Sequence, residues 1–275
     1  MNKRIFVTGG ASGLGLAIAQ RYAEAGWKVC IGDINDQRGE KARASLAVQA
    51  EDAAYLPCDV RSEESLARVA ETLTECWGGV DVVVNNAGVA QAGAIEDVSL
   101  DDWQWILDIN LLGVVRGCKT FTPLFKRQGH GYFVNVASMA GLLDAPLMSS
   151  YNASKAAVVS LSETLQHELA DAGIGVSVIC PSFFRTNLGD SLRSTVPKMD
   201  ATLDKLMSRS KITANDVAQA VFAAVEQRRF YVLPHKEARL AWRLKRFLSR
   251  ELYRKFMQKQ MRSMKGKRAT AETAR

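Results

Sequence analysis

The chain has 275 residues, 47% of them apolar and 24% charged, with a net charge of +7. Those proportions exclude a disordered, collagen-like or disulfide-stapled chain, and no apolar run approaches the ~18 residues that a bilayer span requires. Residues 236–275 carry 14 Lys/Arg against 3 acids, whereas residues 1–235 carry 22 against 26, so the body is mildly acidic and no nucleic acid partner is expected.

In chain order, a strand at Arg4–Thr8 leads through a glycine-rich turn into a helix over 13–25. A strand at Lys28–Asp33 follows, then a helix over 37–49, a strand at 54–56, a helix over 62–77 and a strand at 80–85. The pattern continues with a helix over 99–127, a strand at Gly131–Val136, a helix over 150–172 and a strand at 175–180. Continuous apolar runs such as Val82-Val83-Val84 suit parallel strands covered on both faces. Ser99-Leu100-Asp101-Asp102 and Thr213-Ala214-Asn215-Asp216 carry N-cap chemistry and predict helix starts. A short strand at 230–233 closes the series. Strands alternating with helices at this spacing make βαβ units. The expected fold is therefore α/β, a doubly wound and mostly parallel sheet with helices on both faces, built as one domain over 1–235. Pro181 opens a segment, 182–212, with no clear strand pattern, and it reads as a functional lid.

Five scattered cysteines (Cys30, Cys58, Cys76, Cys118 and Cys180) form no C-x-x-C pair. They predict free thiols of a reducing, cytoplasmic compartment and no metal site. The apolar run Ile5-Phe6-Val7 behind Lys3-Arg4 is too short for a signal peptide.

Thr8-Gly9-Gly10-Ala11-Ser12-Gly13-Leu14-Gly15 lies between the first strand and first helix. There a bare backbone and a helix N-terminus can receive a pyrophosphate, although the spacing G-x-x-x-G-x-G differs from G-x-G-x-x-G. Asp33 ends the second strand, where an acid accepts hydrogen bonds from an adenosine ribose and repels a 2′-phosphate. NAD is expected over NADP, with Arg38 the nearby cation that argues the other way. Tyr151-Asn152-Ala153-Ser154-Lys155 sets a phenol and an ammonium on one helix face, and a nearby cation favours the phenolate.

Thr8–Gly15, Asn85-Asn86-Ala87-Gly88, Asn110, Ser138 and Tyr151-x-x-x-Lys155 together resemble the short-chain dehydrogenase/reductase family in its single-domain form. The resemblance covers roughly residues 3–234. It implies a Rossmann-like fold, Tyr151 as general acid/base, and Lys155 lowering the tyrosine pKa while holding the nicotinamide ribose. It implies that Ser138 hydrogen-bonds the substrate oxygen, and that Asn110 holds a water linking Lys155 to solvent. Gly9, Ser12, Gly13, Leu14 and Gly15 would cradle the cofactor, with Asp33, Asp59 and Val60 at its adenosine end. Asn86, Ala87 and Gly88 would shape its floor, and Pro181 and Thr186 would meet the nicotinamide. Ser182 stands where the family usually has glycine, which leaves the backbone path into the lid open.

Phe183, Phe184, Leu188, Leu192, Val196, Met199, Leu203, Leu206 and Met207 in the lid, with Leu142, Leu143, Leu147 and Met148, suggest a wall for a bulky hydrophobic secondary alcohol or ketone. A 3-oxoacyl-thioester reductase and a non-catalytic nucleotide-sensing scaffold are the alternatives. From Lys236 onward, Leu240, Leu244, Phe247, Leu248, Leu252, Phe256, Met257, Met261 and Met264 recur at helical spacing among Lys and Arg. This basic amphipathic helix reads either as a membrane-surface or partner-binding element, or as a helix packed on its own subunit or a dimer mate. A homo-oligomer, dimer or tetramer, is expected from the resemblance.

Overall fold

The computed structural model describes residues 3–255 and 258. The chain opens with β1 (Arg4–Thr8), α1 (Gly13–Glu24), β2 (Lys28–Asp33), α2 (Asp36–Leu46), β3 (Asp52–Pro57), α3 (Glu63–Trp77), β4 (Val82–Asn85) and β5 (Gln91–Ala92). It continues with α4 (Leu100–Leu107), a π-turn (Asp108–Leu112), α5 (Gly113–Gln128), β6 (Gly131–Val136), α6 (Ala140–Leu143), α7 (Ser149–Glu168) and β7 (Ile174–Ile179). The last elements are β8 (Arg193–Ser194), α8 (Met199–Ser208), α9 (Ala214–Glu226), β9 (Tyr231–Val232) and α10 (Lys236–Phe247).

Among the described residues the main sheet has seven strands in the order β3-β2-β1-β4-β6-β7-β9, all parallel. Alternation along β1 explains why both faces are covered. Ile5 and Val7 join Ile18, Tyr22, Val84 and Val221 in one core. Phe6 points the other way, into a core with Phe121, Phe125, Phe133 and Val158. The strand order reverses between β2-β1 and β1-β4, and the crevice beyond the carboxyl ends of strands at such a reversal is where doubly wound sheets bind ligands.

At the opposite end of the sheet a buried ionic cluster closes the fold. Arg4 donates from Nε and Nη2 to the Asp81 carboxylate, both at 2.9 Å, and His130 Nε2 lies 2.8 Å from Asp81 Oδ1.

Three sequence expectations are revised. The helix over 99–127 is broken by the π-turn at Asp108–Leu112, a single wider turn inside an otherwise α-helical stretch. The helix over 150–172 ends at Glu168, and a 3₁₀ turn at Ala170–Ala172 stops at Gly173, whose φ is 71°. The lid is structured: a 3₁₀ turn at Asn187–Ser191, then β8, which pairs in parallel with β5, then α8, which buries Leu203 and Met207.

The tail helix packs on the body through one face, with the Trp242 ring 5.2 Å from that of Tyr231. It breaks at Leu248, which is extended (φ −75°, ψ 147°). A second helical stretch, 250–255, follows. Phe256, Met257, Met261 and Met264 lie outside the described residues.

Candidate active site

A cavity of about 650 Å³ lies beyond the carboxyl ends of the central strands. Its glycine turn is a close-approach device. Gly9 (φ +60°) and Gly13 (φ +54°) occupy the left-handed region that favours glycine, and a Cβ on Gly9 would stand 2.9 Å from Ala87 Cα. Thr8 Oγ1 accepts from the Asn86 and Ala87 amides at 2.9 and 3.1 Å, and Asn86 Nδ2 donates to the Thr8 and Gly9 carbonyls. Those bonds lash the Asn86-Ala87-Gly88 loop to the turn.

Asn35, Ser62, Ser99 and Thr213 cap α2, α3, α4 and α9 with their side chains, but Ser12 makes no such bond to α1. The first amides of α1 therefore keep donors for an anion. Donors at a helix N-terminus above a Cβ-free cradle fit the pyrophosphate of a dinucleotide. Ser12, Gly13 and Leu14 line the cavity, whereas Gly15 lies behind it: a Cβ there would stand 2.3 Å from the Gly9 carbonyl oxygen.

At the adenosine end, Asp33 is buried and its carboxylate accepts from the Ala11 and Asn35 amides at 3.2 and 3.1 Å, one bond per oxygen. Lone pairs remain for ribose hydroxyls. Val60 and Asp59 line the cavity, but the Asp59 carboxylate is gripped by Arg61, with Nη2–Oδ2 at 2.7 Å and Nε–Oδ1 at 3.0 Å. The hydrogen bonds from Arg61 hold this carboxyl below its ordinary range. Sequence reading missed Arg61, which with Arg38 puts two guanidiniums on the rim.

Tyr151 and Lys155 sit on the inner face of α7 and Ser138 follows β6, all three lining the cavity. Lys155 Nζ donates to the Val136 carbonyl at 2.9 Å and lies 5.9 Å from the Tyr151 ring centre. Burial pushes the Tyr151 phenol above its ordinary range, partly offset by a hydrogen bond with Ser138. Burial also pushes the Lys155 ammonium down to about 8. Burial thus acts on both groups in the direction of their neutral forms.

Asn110 sits in the π-turn, fully buried behind the cavity wall. Its Oδ1 accepts from the Val89 amide at 2.8 Å, and Nδ2 donates to the Val89 carbonyl at 3.0 Å and to Ser154 Oγ at 3.3 Å. Both amide hydrogens are used, and one lone pair of Oδ1 remains. Ser138 Oγ accepts from the Ala140 amide at 3.1 Å.

Pro181 and Thr186 also line the cavity. Thr186 caps the 3₁₀ turn through the Leu188 amide at 3.2 Å. Ser182 avoids the left-handed region, so no glycine is required there. Its amide donates instead to His235 Nδ1 at 3.2 Å.

Beyond Tyr151 the lining turns apolar: Trp105, Ile109, Met139, Leu143, Met148, Phe183, Phe184, Leu188, Leu192, Met199, Leu203, Leu206 and Met207. Leu142 is buried elsewhere, Leu147 is exposed, and neither they nor Val196 line the cavity. Trp105 and Ile109 went unrecognised because α4 reads as an ordinary amphipathic helix. The Arg193 guanidinium stacks 3.9 Å from the centre of the Trp105 ring and pairs with Asp102 at 2.8 Å. Among the described residues no cluster of three His, Cys, Asp or Glu could hold a metal.

The family model described as short chain dehydrogenase matches residues 3–197. A 3-alpha-(or 20-beta)-hydroxysteroid dehydrogenase of Mycobacterium tuberculosis is 36% identical over 190 residues, 69% of this chain and 72% of the relative. The crystal structure of a short-chain dehydrogenase/reductase from Burkholderia phymatum in complex with NAD superposes with a TM-score of 0.83 at 34% identity, covering 90% of this chain and 94% of that one. A short-chain dehydrogenase from Sphingobium yanoikuyae in complex with NADPH gives 0.74 at 26% identity, covering 86% and 90%.

Proposed function

The chain belongs to the short-chain dehydrogenase/reductase family of enzymes that act on alcohol and ketone groups with a nicotinamide dinucleotide, and on that premise we propose that it uses NAD and takes a bulky hydrophobic secondary alcohol or ketone. The observation that carries the substrate class is the apolar lining beyond Tyr151, where Trp105, Leu143, Phe183, Leu192 and Met207 face the cavity. The steroid-directed relative agrees with that class. The buried Asp33 carboxylate supports NAD, against Arg38 and Arg61 on the rim.

The bound nicotinamide supplies or accepts the hydride. In the reductive direction, the Ser138 hydroxyl and the Tyr151 phenol hydrogen-bond the substrate oxygen, and Tyr151 gives it the proton. Burial keeps that phenol protonated and suits it to donate. Lys155, held by the Val136 carbonyl, holds a ribose hydroxyl and replaces the proton. Asn110 fixes the Val89 backbone beside this relay, and the free lone pair of its Oδ1 can accept from a water. The lid residues exclude bulk water from the hydride step.

Initial rates with NAD⁺ and NADP⁺ across secondary alcohols graded from short and polar to bulky and apolar test the proposal. Rates that rise with apolar bulk and only with NAD⁺ support it; activity confined to small polar alcohols or to NADP⁺ overturns the substrate or cofactor assignment. Tyr151→Phe separates an enzyme, which loses turnover, from a nucleotide-sensing scaffold, which keeps its function. Assembly as a homo-oligomer in the cytoplasm completes the reading.

A second reading concerns the outer face of α10. Leu240, Leu244 and Phe247 are exposed there, Phe247 by 85%, with Leu252 exposed on the stretch that follows, among Arg239, Arg243, Arg246 and Arg250. Two copies paired through this face would oppose like charges, whereas an anionic bilayer surface complements both its apolar stripe and its cations. Among the described residues no helix is long and apolar enough to cross a membrane. Flotation with anionic vesicles should recover the full chain and lose a Leu244→Glu/Phe247→Glu variant; equal recovery of the two sinks the surface-binding reading.

A further inference from the structure

The inner face of the C-terminal segment reaches both walls of the substrate pocket, and it holds them by their main chain. Immediately before α10, His235 accepts from the Ser182 amide at Nδ1, and its Nε2 lies 3.2 Å from the Phe183 carbonyl. A neutral ring carrying its proton on Nε2 satisfies both bonds at the point where the chain enters the lid. Farther along, Lys245 Nζ donates to the Leu142 carbonyl at 2.7 Å and pairs with the Asp144 carboxylate. The Tyr253 hydroxyl donates to the Leu143 carbonyl at 2.8 Å.

Leu142 and Leu143 are the last residues of α6, whose final carbonyls have no partner within so short a helix. That helix and the residue before it put Met139, Ala140 and Leu143 into the pocket wall. The chain leaving α6 is strained: Asp144 and Leu147 have φ of 53° and 61°, the left-handed region that non-glycine residues avoid. The body ties the far end of this stretch, Asn152 Nδ2 donating to the Ala145 carbonyl at 2.6 Å and the Gly93 amide to the Leu147 carbonyl at 2.8 Å, whereas the Leu142 and Leu143 carbonyls are held from the C-terminal segment.

We propose that Lys245 and Tyr253 are positioning residues that brace the Leu143 wall from outside and thereby set the bulk of substrate the pocket accepts, with His235 bracing the lid entry in the same way. Neither Lys245 nor Tyr253 lines the cavity, so each acts through the backbone it holds. The Lys245 ammonium also lies 5.6 Å from the Tyr253 ring centre, which makes the two contacts one unit. This assignment rests on the hydrophobic-substrate oxidoreductase reading of the site.

The test uses the full chain with Tyr253→Phe, Lys245→Met and, as the conservative variant, Lys245→Arg. Loss of a neutral hydrogen bond should raise KM for the bulkiest alcohol by about 5-fold, and loss of the charged one by about 10-fold or more. KM for a short alcohol, kcat and NAD affinity should stay within about 2-fold, and Lys245→Arg should recover most of the loss. Hydrogen–deuterium exchange should speed up at residues 142–148 and stay unchanged in the central strands. Parallel shifts in KM for bulky and short alcohols, or unchanged exchange at 142–148, overturn the brace. A wild-type protein that turns over none of the panel refutes the substrate reading instead, and the exchange measurement still decides the brace.

Discussion

Lys155→Met separates the cost of the site from its use. The Lys155 ammonium is 4% exposed, donates to one carbonyl and pairs with no carboxylate among the described residues. Burial lowers its pKa from 10.5 to about 8, and a shift of that size corresponds to about 3 kcal/mol against folding at pH 7, where both folded and unfolded chains carry the proton. Methionine fills a similar volume without charge, and losing the Val136 hydrogen bond gives back about 1 kcal/mol. The variant should be more stable than wild type by about 2 kcal/mol at pH 7, while turnover falls by about 10²–10⁴-fold. The pH dependence is the sharper signature. Because the folded pKa lies below the unfolded one, the unfolded wild type binds more protons between about pH 8 and 10.5, and wild-type stability rises across that window. Methionine has no such gain, so the advantage of the variant should shrink from pH 8, vanish at about pH 10 and reverse above it, where only the lost Val136 hydrogen bond remains. Urea unfolding of both proteins at pH 7 to 11, without nucleotide, reads the difference, in which other titrating groups cancel. A difference that stays constant with pH, or a wild type more stable at pH 7, would refute the argument.

Asp33→Ser removes the acceptor of the ribose hydroxyls and its repulsion of a 2′-phosphate. The ratio of kcat/KM for NADP⁺ to that for NAD⁺ should rise by at least about 10-fold, and an unchanged ratio would show that another group selects the cofactor. Gly15→Ala puts a Cβ 2.3 Å from the Gly9 carbonyl oxygen and 2.5 Å from Asn86 Nδ2; titration calorimetry should find NAD affinity lowered by at least about 10-fold. Asp81→Asn leaves the Arg4 guanidinium buried without its counter-charge and should cost about 3–5 kcal/mol at pH 7. Burial raises the Asp81 pKa, but hydrogen bonds from Arg4 and His130 outweigh it and hold the carboxyl below its ordinary value. Its stabilisation is therefore present above about pH 4 and lost as pH falls through the folded pKa, so the gap between variant and wild type should narrow in acid; a gap that widens refutes this.

Much of the fold was legible because its strands are written as unbroken apolar runs and its helices carry stripes and caps. Asn35, Ser62, Ser99 and Thr213 all cap helices. The illegible parts lack a period. β5 and β8 contribute two residues each, too few to alternate, and they exist because the lid lies across Ala90 and Ala92. The π-turn at Asn110 is five residues long, too short to show a period of its own, and it buries its amide against the Val89 backbone. Asp59 is a plain turn acid until folding brings Arg61 onto it. Tyr151 and Lys155 were readable as identity and spacing, but the dryness of the face of α7 that acts on both groups was not, because it depends on everything packed against it.

The β8 strand of the lid joins β5, outside the main sheet, through main-chain atoms. The Arg193 amide donates to the Ala90 carbonyl and the Thr195 amide to the Ala92 carbonyl, both at 3.1 Å. Bonds of this kind do not record which side chains the lid carries. Mutation can therefore rewrite the half-buried Leu188, Leu192 and Leu206 without moving the β5–β8 pairing, which makes the segment a replaceable cassette. A lineage built on this chain could explore new substrates by drift at those lid positions, while the costly half of the enzyme stays untouched.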